Sequence, residues 1–240
     1  MATYKVNIPG DAYKVNLPYP TAYNQGLVGL YEFDSVAGNV LKDKVNIMGD
    51  IPLFNSPTVV TSNGRTGVLF NGTTQYGIIA KETVAQFLLG DYTVIFEGSW
   101  NTADSMVLSQ FNGSTDMQLI GRATDIKLDT GVPSGGSPIT GAYDTINYFC
   151  ARAFVSGAFL GARTQLETDN DVASDPLKST EDLLLGVDAD STGNGSLGNY
   201  YSGVMHRILF FNRSLTNTEV DNYFNDYEIF TKLSTYKVNL

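Results

Sequence analysis

The chain has 240 residues, 12% of them aromatic and only 17% charged, with 24 glycines. That is the composition of many short strands and turns, and the length suffices to bury a substantial core. The net charge of −10 excludes a nucleic-acid surface, which needs clustered Lys and Arg, and the single cysteine, Cys150, excludes an intrachain disulfide.

The first residues, Met1-Ala2-Thr3-Tyr4-Lys5, lack the apolar core of a secretory signal, so synthesis without export is expected. A short repeat follows. Tyr4-Lys5-Val6-Asn7-Ile8-Pro9 returns as Tyr13-Lys14-Val15-Asn16-Leu17-Pro18 and again as Tyr236-Lys237-Val238-Asn239-Leu240. On an extended chain Tyr4, Val6 and Ile8 share one side, as do Tyr13, Val15 and Leu17, and Tyr236, Val238 and Leu240. The prolines after the first two copies stop each strand. Residues 1–20 and 232–240 hold four lysines and one aspartate (+3), while 21–231 hold eleven basic and 24 acidic residues (−13). The chain therefore divides into an N-terminal arm over 1–22, a domain over 23–231 and a C-terminal arm over 232–240.

Within the domain, Leu27 to Phe33 is expected as the opening strand, then Gly67 to Phe70, the turn Asn71-Gly72, and Gln75 to Ala80. Glu82 to Leu89 reads as a short helix ended by Gly90. Tyr92 to Trp100 alternates Tyr92, Val94 and Phe96 against Thr93, Ile95 and Glu97, a core strand that leaves Glu97 in solvent. Strands follow at 105–111, 117–121, 125–129, 145–155, 158–167 and 183–187, with turns over 131–141 and 188–198. Cys150 falls in an apolar run and reads as a buried thiol. A last strand, Tyr201 to Asn212, leads to Thr216 and Glu219, spaced as a capping box. Val220, Tyr223, Phe224 and Tyr227 then recur at helical spacing. Many strands and one late helix predict an all-β fold: an antiparallel β-sandwich (jelly roll) with a short C-terminal helix.

Several segments resemble, in order, the laminin-G-like, concanavalin A-like jelly-roll domains. They are Gly26 to Asp34 with Asp43 after it, Gly67-Val68-Leu69-Phe70-Asn71-Gly72 with Tyr76, and Asp91 to Trp100. Leu184-Leu185-Gly186, Tyr201-Ser202-Gly203 and Ile208 to Leu215 complete the series. The resemblance spans about 24–230 and implies a lectin-like fold with Trp100 in the core. It also implies an acidic residue near a calcium site in the last strand, where this chain has His206 and Arg207.

Catalytic groups are not evident. Glu32-Phe33-Asp34 is followed by Ser35, Val36 and Ala37, without the acid-rich strand of glucanases, and paired carboxylates are what glycoside hydrolysis requires. One histidine, His206, and one cysteine, 56 residues apart, form neither a triad nor a zinc site. No enzyme and no cofactor are expected. Asp188 and Asp190, at alternate positions before Gly193, are candidate ligands for calcium, although position twelve of that loop is Asn199. The same polar loop makes Asp190, Asn194, Asn199 and Tyr200 candidate glycan contacts.

The repeats carry most of the functional expectation. Amphipathic strand segments outside a domain add to sheet edges of partners. The partner-docking residues are Tyr4, Val6, Ile8, Tyr13, Val15, Leu17, Tyr236, Val238 and Leu240. The expectation is a non-enzymatic structural or adhesive component of a viral (bacteriophage) particle, a capsid decoration or fibre located in the virion. It would contact other virion proteins or copies of itself through the arms and a cell-surface glycan through the domain, with no nucleic acid and no membrane insertion. The alternative is a secreted, extracellular bacterial carbohydrate-binding module.

Overall fold

A computed structural model describes residues 25–34, 36–62, 64–100, 105–111, 116–121, 125–129, 139–140, 147–154, 157–162, 165–167, 177, 180–189 and 197–225. In chain order the elements are β1 (Leu27–Glu32), β2 (Val40–Leu41), β3 (Ile51–Phe54), β4 (Thr58–Ser62), β5 (Arg65–Asn71), β6 (Tyr76–Ile79) and α1 (Lys81–Phe87). Then come β7 (Tyr92–Trp100), β8 (Ser105–Phe111), β9 (Asp116–Gly121), β10 (Asp125–Asp129), β11 (Ile139–Thr140), β12 (Asn147–Phe154), β13 (Gly157–Ala162) and β14 (Gln165–Glu167). The chain continues through β15 (Leu183–Leu185), β16 (Asp188–Ala189), β17 (Leu197–Gly198), β18 (Ser202–Phe211) and α2 (Asn217–Asn225).

Two eight-stranded antiparallel sheets form the sandwich. One runs β14-β13-β12-β7-β18-β5-β4, with β1 also paired to β18, and the other runs β11-β10-β9-β8-β15-β6-β3-β2. Strand β18 organises the first sheet. One of its edges pairs with β7 along its length, and the other is shared by β5 at Ser202 to Met205 and by β1 at Arg207 to Phe211. The predicted β-sandwich with a late helix is what the chain forms. The expected strand 158–167 is two strands, β13 and β14.

Apolar residues at every second position place the core between the sheets. Val68, Phe70, Val94, Phe96, Trp100, Met205, Ile208 and Phe210 from the first sheet meet Ile51, Leu53, Ile79, Leu108, Leu183 and Leu185 from the second. Each large side chain so buried contributes ~1.5–3 kcal/mol. Trp100 is internal, and Tyr201 packs edge-on to Phe70, Phe96 and Trp100 at centroid distances of 6.1, 6.0 and 6.3 Å. The Tyr201 hydroxyl donates to the Ser99 carbonyl at 3.0 Å, which satisfies its one polar atom, and burial raises its pKa.

Against β7 the register of β18 slips by one residue between Met205 and Arg207, a β-bulge at His206. Met205 and Ile208, three apart, therefore both point into the core, whereas Arg207, Leu209 and Phe211 turn to the outer face. On that face Ile95, Leu209 and Phe211 are covered by Leu215 and by Val220 and Tyr223 of α2. The capping box forms as its spacing requires. The Thr216 N–H donates to Glu219 Oε2 at 2.7 Å, and the Glu219 N–H donates to Thr216 Oγ1 at 3.2 Å. Helix α1 stops at Phe87, with Leu88 as its C-cap, and Gly90 at φ +104° turns the chain two residues later into β7. Cys150 lies in β12 opposite Ile95.

The loop between β2 and β3 is held by one side chain. The buried Asp43 carboxylate accepts the backbone N–H groups of Leu30, Val45, Ile47, Met48 and Gly49 at 2.8–3.3 Å. The Met48 N–H also reaches the Val28 carbonyl at 3.1 Å, and Leu30 belongs to β1, so the carboxylate ties the loop's backbone to the edge of the first sheet.

Candidate functional site

Two groups of side chains stand apart from the core. The first is on the outer face of the second sheet. Inward alternation of Ile51 and Leu53 in β3, and of Gly77 and Ile79 in β6, leaves Phe54 and Tyr76 outside as a cross-strand pair. Their rings stack at 4.7 Å with an interplanar angle of 8°, and Phe54 is 37% exposed. Tyr200 enters from the segment before β18, its ring 6.5 Å from that of Tyr76 and tilted by 58°. Desolvation, and then the neighbouring Tyr76 phenol, raise the Tyr200 pKa, so the Tyr200 hydroxyl stays a protonated donor near neutral pH.

Amide and hydroxyl groups fix the turns beside these rings. Asn55 and Ser56 follow Phe54 at φ +60° and +52°, and Asn199 precedes Tyr200 at φ +46°, a backbone region that Asn tolerates through its short polar side chain. Asn71 Oδ1 accepts from the N–H groups of Thr73 and Thr74, each at 3.0 Å, and Asn71 Nδ2 donates to Thr74 Oγ1 at 3.0 Å. Asn55 Nδ2 donates to the Thr74 carbonyl at 2.6 Å, and Gln75 Nε2 donates to the carbonyls of Asn55 and Ser56 at 3.1 and 3.2 Å. The three rings therefore stand on a platform whose loops are tied to each other.

Of the four expected glycan contacts, Asn199 and Tyr200 are at this platform, and Asp190 and Asn194 lie outside the described residues. Asp188, expected at the first position of a calcium loop, sits in β16 and accepts from Asn199 Nδ2 at 3.4 Å. Among the described residues no three His, Cys, Asp or Glu side chains gather as metal ligands. Nothing in the sequence flagged Phe54, and Tyr76 entered only as part of a hairpin. Their pairing follows from β3, a strand that Pro52 disguises. The docking residues Tyr4, Val6, Ile8, Tyr13, Val15, Leu17, Tyr236, Val238 and Leu240 all lie outside the described residues.

The second group is ionic and lies on the outer face of the first sheet. Glu97, expected in solvent, is buried at 2% exposure. It faces Arg207 across the β7–β18 ladder, with Oε2 4.0 Å from Arg207 Nε, and it is ion-paired to Arg65. Arg207 Nη2 is 3.7 Å from Glu32 Oε1, and Lys44 reaches Glu32 and Asp34 at 3.9 and 3.3 Å. Where the family resemblance puts acids, the bulge thus presents His206 and a guanidinium that joins two carboxylates. His206 Nδ1 is 3.0 Å from the Thr66 carbonyl, an acceptor, so this nitrogen carries the proton of the neutral ring. Burial, with the charges of Arg65 and Arg207 adding to it, lowers the His206 pKa despite that bond.

No family model matches the chain, and no curated protein matches it in sequence. Solved structures share its fold. Domain 4 of AbnA, an extracellular GH43 arabinanase from Geobacillus stearothermophilus in complex with arabinotriose, is 12% identical with a TM-score of 0.64, covering 82% of this chain and 97% of that domain. A mutant Trypanosoma rangeli sialidase displaying trans-sialidase activity is 17% identical with a TM-score of 0.66, covering 88% of this chain. The chain spans only 34% of that enzyme. The binding domain of botulinum neurotoxin DC in complex with SialylT is 7% identical with a TM-score of 0.59, covering 85% of this chain and 52% of that one. The β-sandwich is common to all of them.

Proposed function

We propose that this chain is a non-enzymatic, glycan-binding β-sandwich of the laminin-G-like, concanavalin A-like kind, and that Phe54, Tyr76 and Tyr200 form its sugar platform. The observation that carries the reading is this accessible aromatic cluster with amide and hydroxyl side chains around it. A sugar ring offers an apolar C–H face and a rim of hydroxyls, so a flat aromatic surface with polar groups at its border matches both. Two of the structural neighbours are complexes with a saccharide or SialylT, which supports the same class of ligand here. The non-enzymatic part is supported by the ionic group. Glu32 and Glu97 are engaged by Arg207 and Arg65, whereas a glycosidase aims two carboxyl groups at one sugar.

The finer reading is display on a particle. The three Tyr-Lys-Val-Asn segments and their positive charge suit terminal anchors on a bacteriophage decoration or fibre protein, joined to other virion proteins or to copies of itself. The second reading, a secreted carbohydrate-binding module, shares the platform but assigns the segments no anchoring role. A glycan array probed with the full chain and with Tyr76→Ala and Tyr200→Ala tests the platform. Each variant is expected to lose about tenfold in affinity, the loss of one aromatic contact of ~1–1.5 kcal/mol. Array binding equal to that of the unmodified chain in both variants would overturn the site.

A further inference from the structure

Strand β4 ends the first sheet. It pairs with β5 on one side, and no strand lies on its other side among the described residues. We propose that this edge receives a Tyr-Lys-Val-Asn segment from a second copy of the chain, added as one further strand; the inference rests on the reading that these segments dock outside their own domain.

The phase of the ladder identifies the groups that would bond. The Gly72 N–H donates to the Tyr201 carbonyl at 3.0 Å, so Phe70 and Val68, two and four residues earlier, also direct their backbone groups toward β18. The alternate residues of β5, Leu69, Gly67 and Arg65, therefore bond to Thr58, Val60 and Ser62. Val59 and Thr61 are left with their N–H and C=O groups aimed outward, two donors and two acceptors in register for an incoming strand.

The side chains suit the same occupant. Val59 lies beside the core residue Val68 on the inner side of the sheet, yet it is 38% exposed at the rim among the described residues. A segment seated with Tyr, Val and Leu inward would cover Val59 with its own valine and leave Lys and Asn on the outer side. The edge also lacks the usual guards. Thr58-Val59-Val60-Thr61-Ser62 contains no charge and no proline, and its residues favour strands. The arms carry +3 against −13 for the remainder, so donor and acceptor attract before contact. Ten residues lie between the end of α2 and Tyr236, and ten fully extended residues span at most ~35 Å. Each chain has three such segments and one β4 edge.

Sedimentation velocity over a concentration series, paired with amide hydrogen exchange on the full chain, tests the inference. Average mass is expected to rise with concentration, and the Val59 and Thr61 amides to gain protection in step. Val59→Pro removes one outward N–H without touching a bond to β5, and should weaken association roughly tenfold or more while the far-UV spectrum is unchanged. Thr61→Lys, which guards the edge with charge, should do the same should the proline disturb the hairpin. A chain monomeric at every concentration, or amides protected equally at all concentrations, overturns the second copy as occupant. Association insensitive to both edge variants but abolished by Val6→Asp, Val15→Asp and Val238→Asp together overturns β4 as the acceptor and leaves the docking arms standing. Association insensitive to that triple change as well removes the arms reading itself.

Discussion

Replacing Glu97 by Ala probes the most buried charge among the described residues of the first sheet. Its side chain is 2% exposed and pairs with Arg65, whose side chain is 19% exposed, and with Arg207, at 7%. Removing one partner of a buried pair costs ~3–5 kcal/mol, because the remaining charge has lost both water and its counter-ion. Here the lower end applies. Arg207 keeps Glu32 at 3.7 Å, and Arg65 lies near enough to the surface to recover hydration. For a domain of this size ~3 kcal/mol corresponds to a Tm lowered by ~6–12 °C. Glu97→Gln keeps the volume and one acceptor oxygen, and should lose about half as much. Calorimetry reads the shift directly, and urea unfolding should show a lower midpoint with the same slope. A Glu97→Ala protein melting within ~2 °C of the parent would reduce the pair to the value of a surface ion pair and refute the reasoning.

Gly203 stands opposite Trp100 where β18 meets β7, and an added Cβ there would come within 2.0 Å of the Ser99 carbonyl oxygen and 2.8 Å of Trp100 Cα. Both obstacles are backbone, so Gly203→Ala must part the two strands; a loss of about 3 kcal/mol is expected, and an unchanged urea midpoint would contradict the packing. Glu219, bonded by Arg213 and then by Thr216, has its pKa pulled down to about 2 from 4.5. A folded value below the unfolded one means stability that is complete above pH ~4.5 and drains away as pH falls toward 2. Discounted for partial exposure, the effect is about 2 kcal/mol. The gap between unfolding curves of the parent and Arg213→Met should therefore be wide at pH 7 and narrow toward pH 2, leaving only what the Arg213 bond to the Gln25 carbonyl contributes, and a pH-independent gap would rule the linkage out.

The sequence was legible where burial imposed a period. Tyr92 to Trp100 belongs to a strand with one face in the core between the sheets, and its alternation gave that face away; the run after Tyr201 was legible as a strand, but the bulge at His206 breaks its alternation. Thr216 and Glu219 announced α2 because capping is local chemistry. Strands β3 and β4 were opaque for opposite reasons. Ile51-Pro52-Leu53-Phe54 hides a strand behind a proline, and Thr58 to Ser62 forms a sheet end with little to bury on either side. The platform inherited that opacity, since Phe54 and Tyr76 become neighbours only once β3 pairs with β6. Glu97 misled for a related reason. Its outward position was right, but an outer face can itself be buried, and the arginines that make this tolerable come from β5 and β18.

The bulge at His206 has a consequence for how this sheet tolerates change. One surplus residue resets the phase of β18, so the half before it and the half after it keep separate in–out frames. The first half answers to Val68 and Phe70 in β5, and the second to Leu30 and Tyr31 in β1. The strand behaves as two words joined by a comma, and each word can be respelled without rewriting the other so long as the comma stays in place.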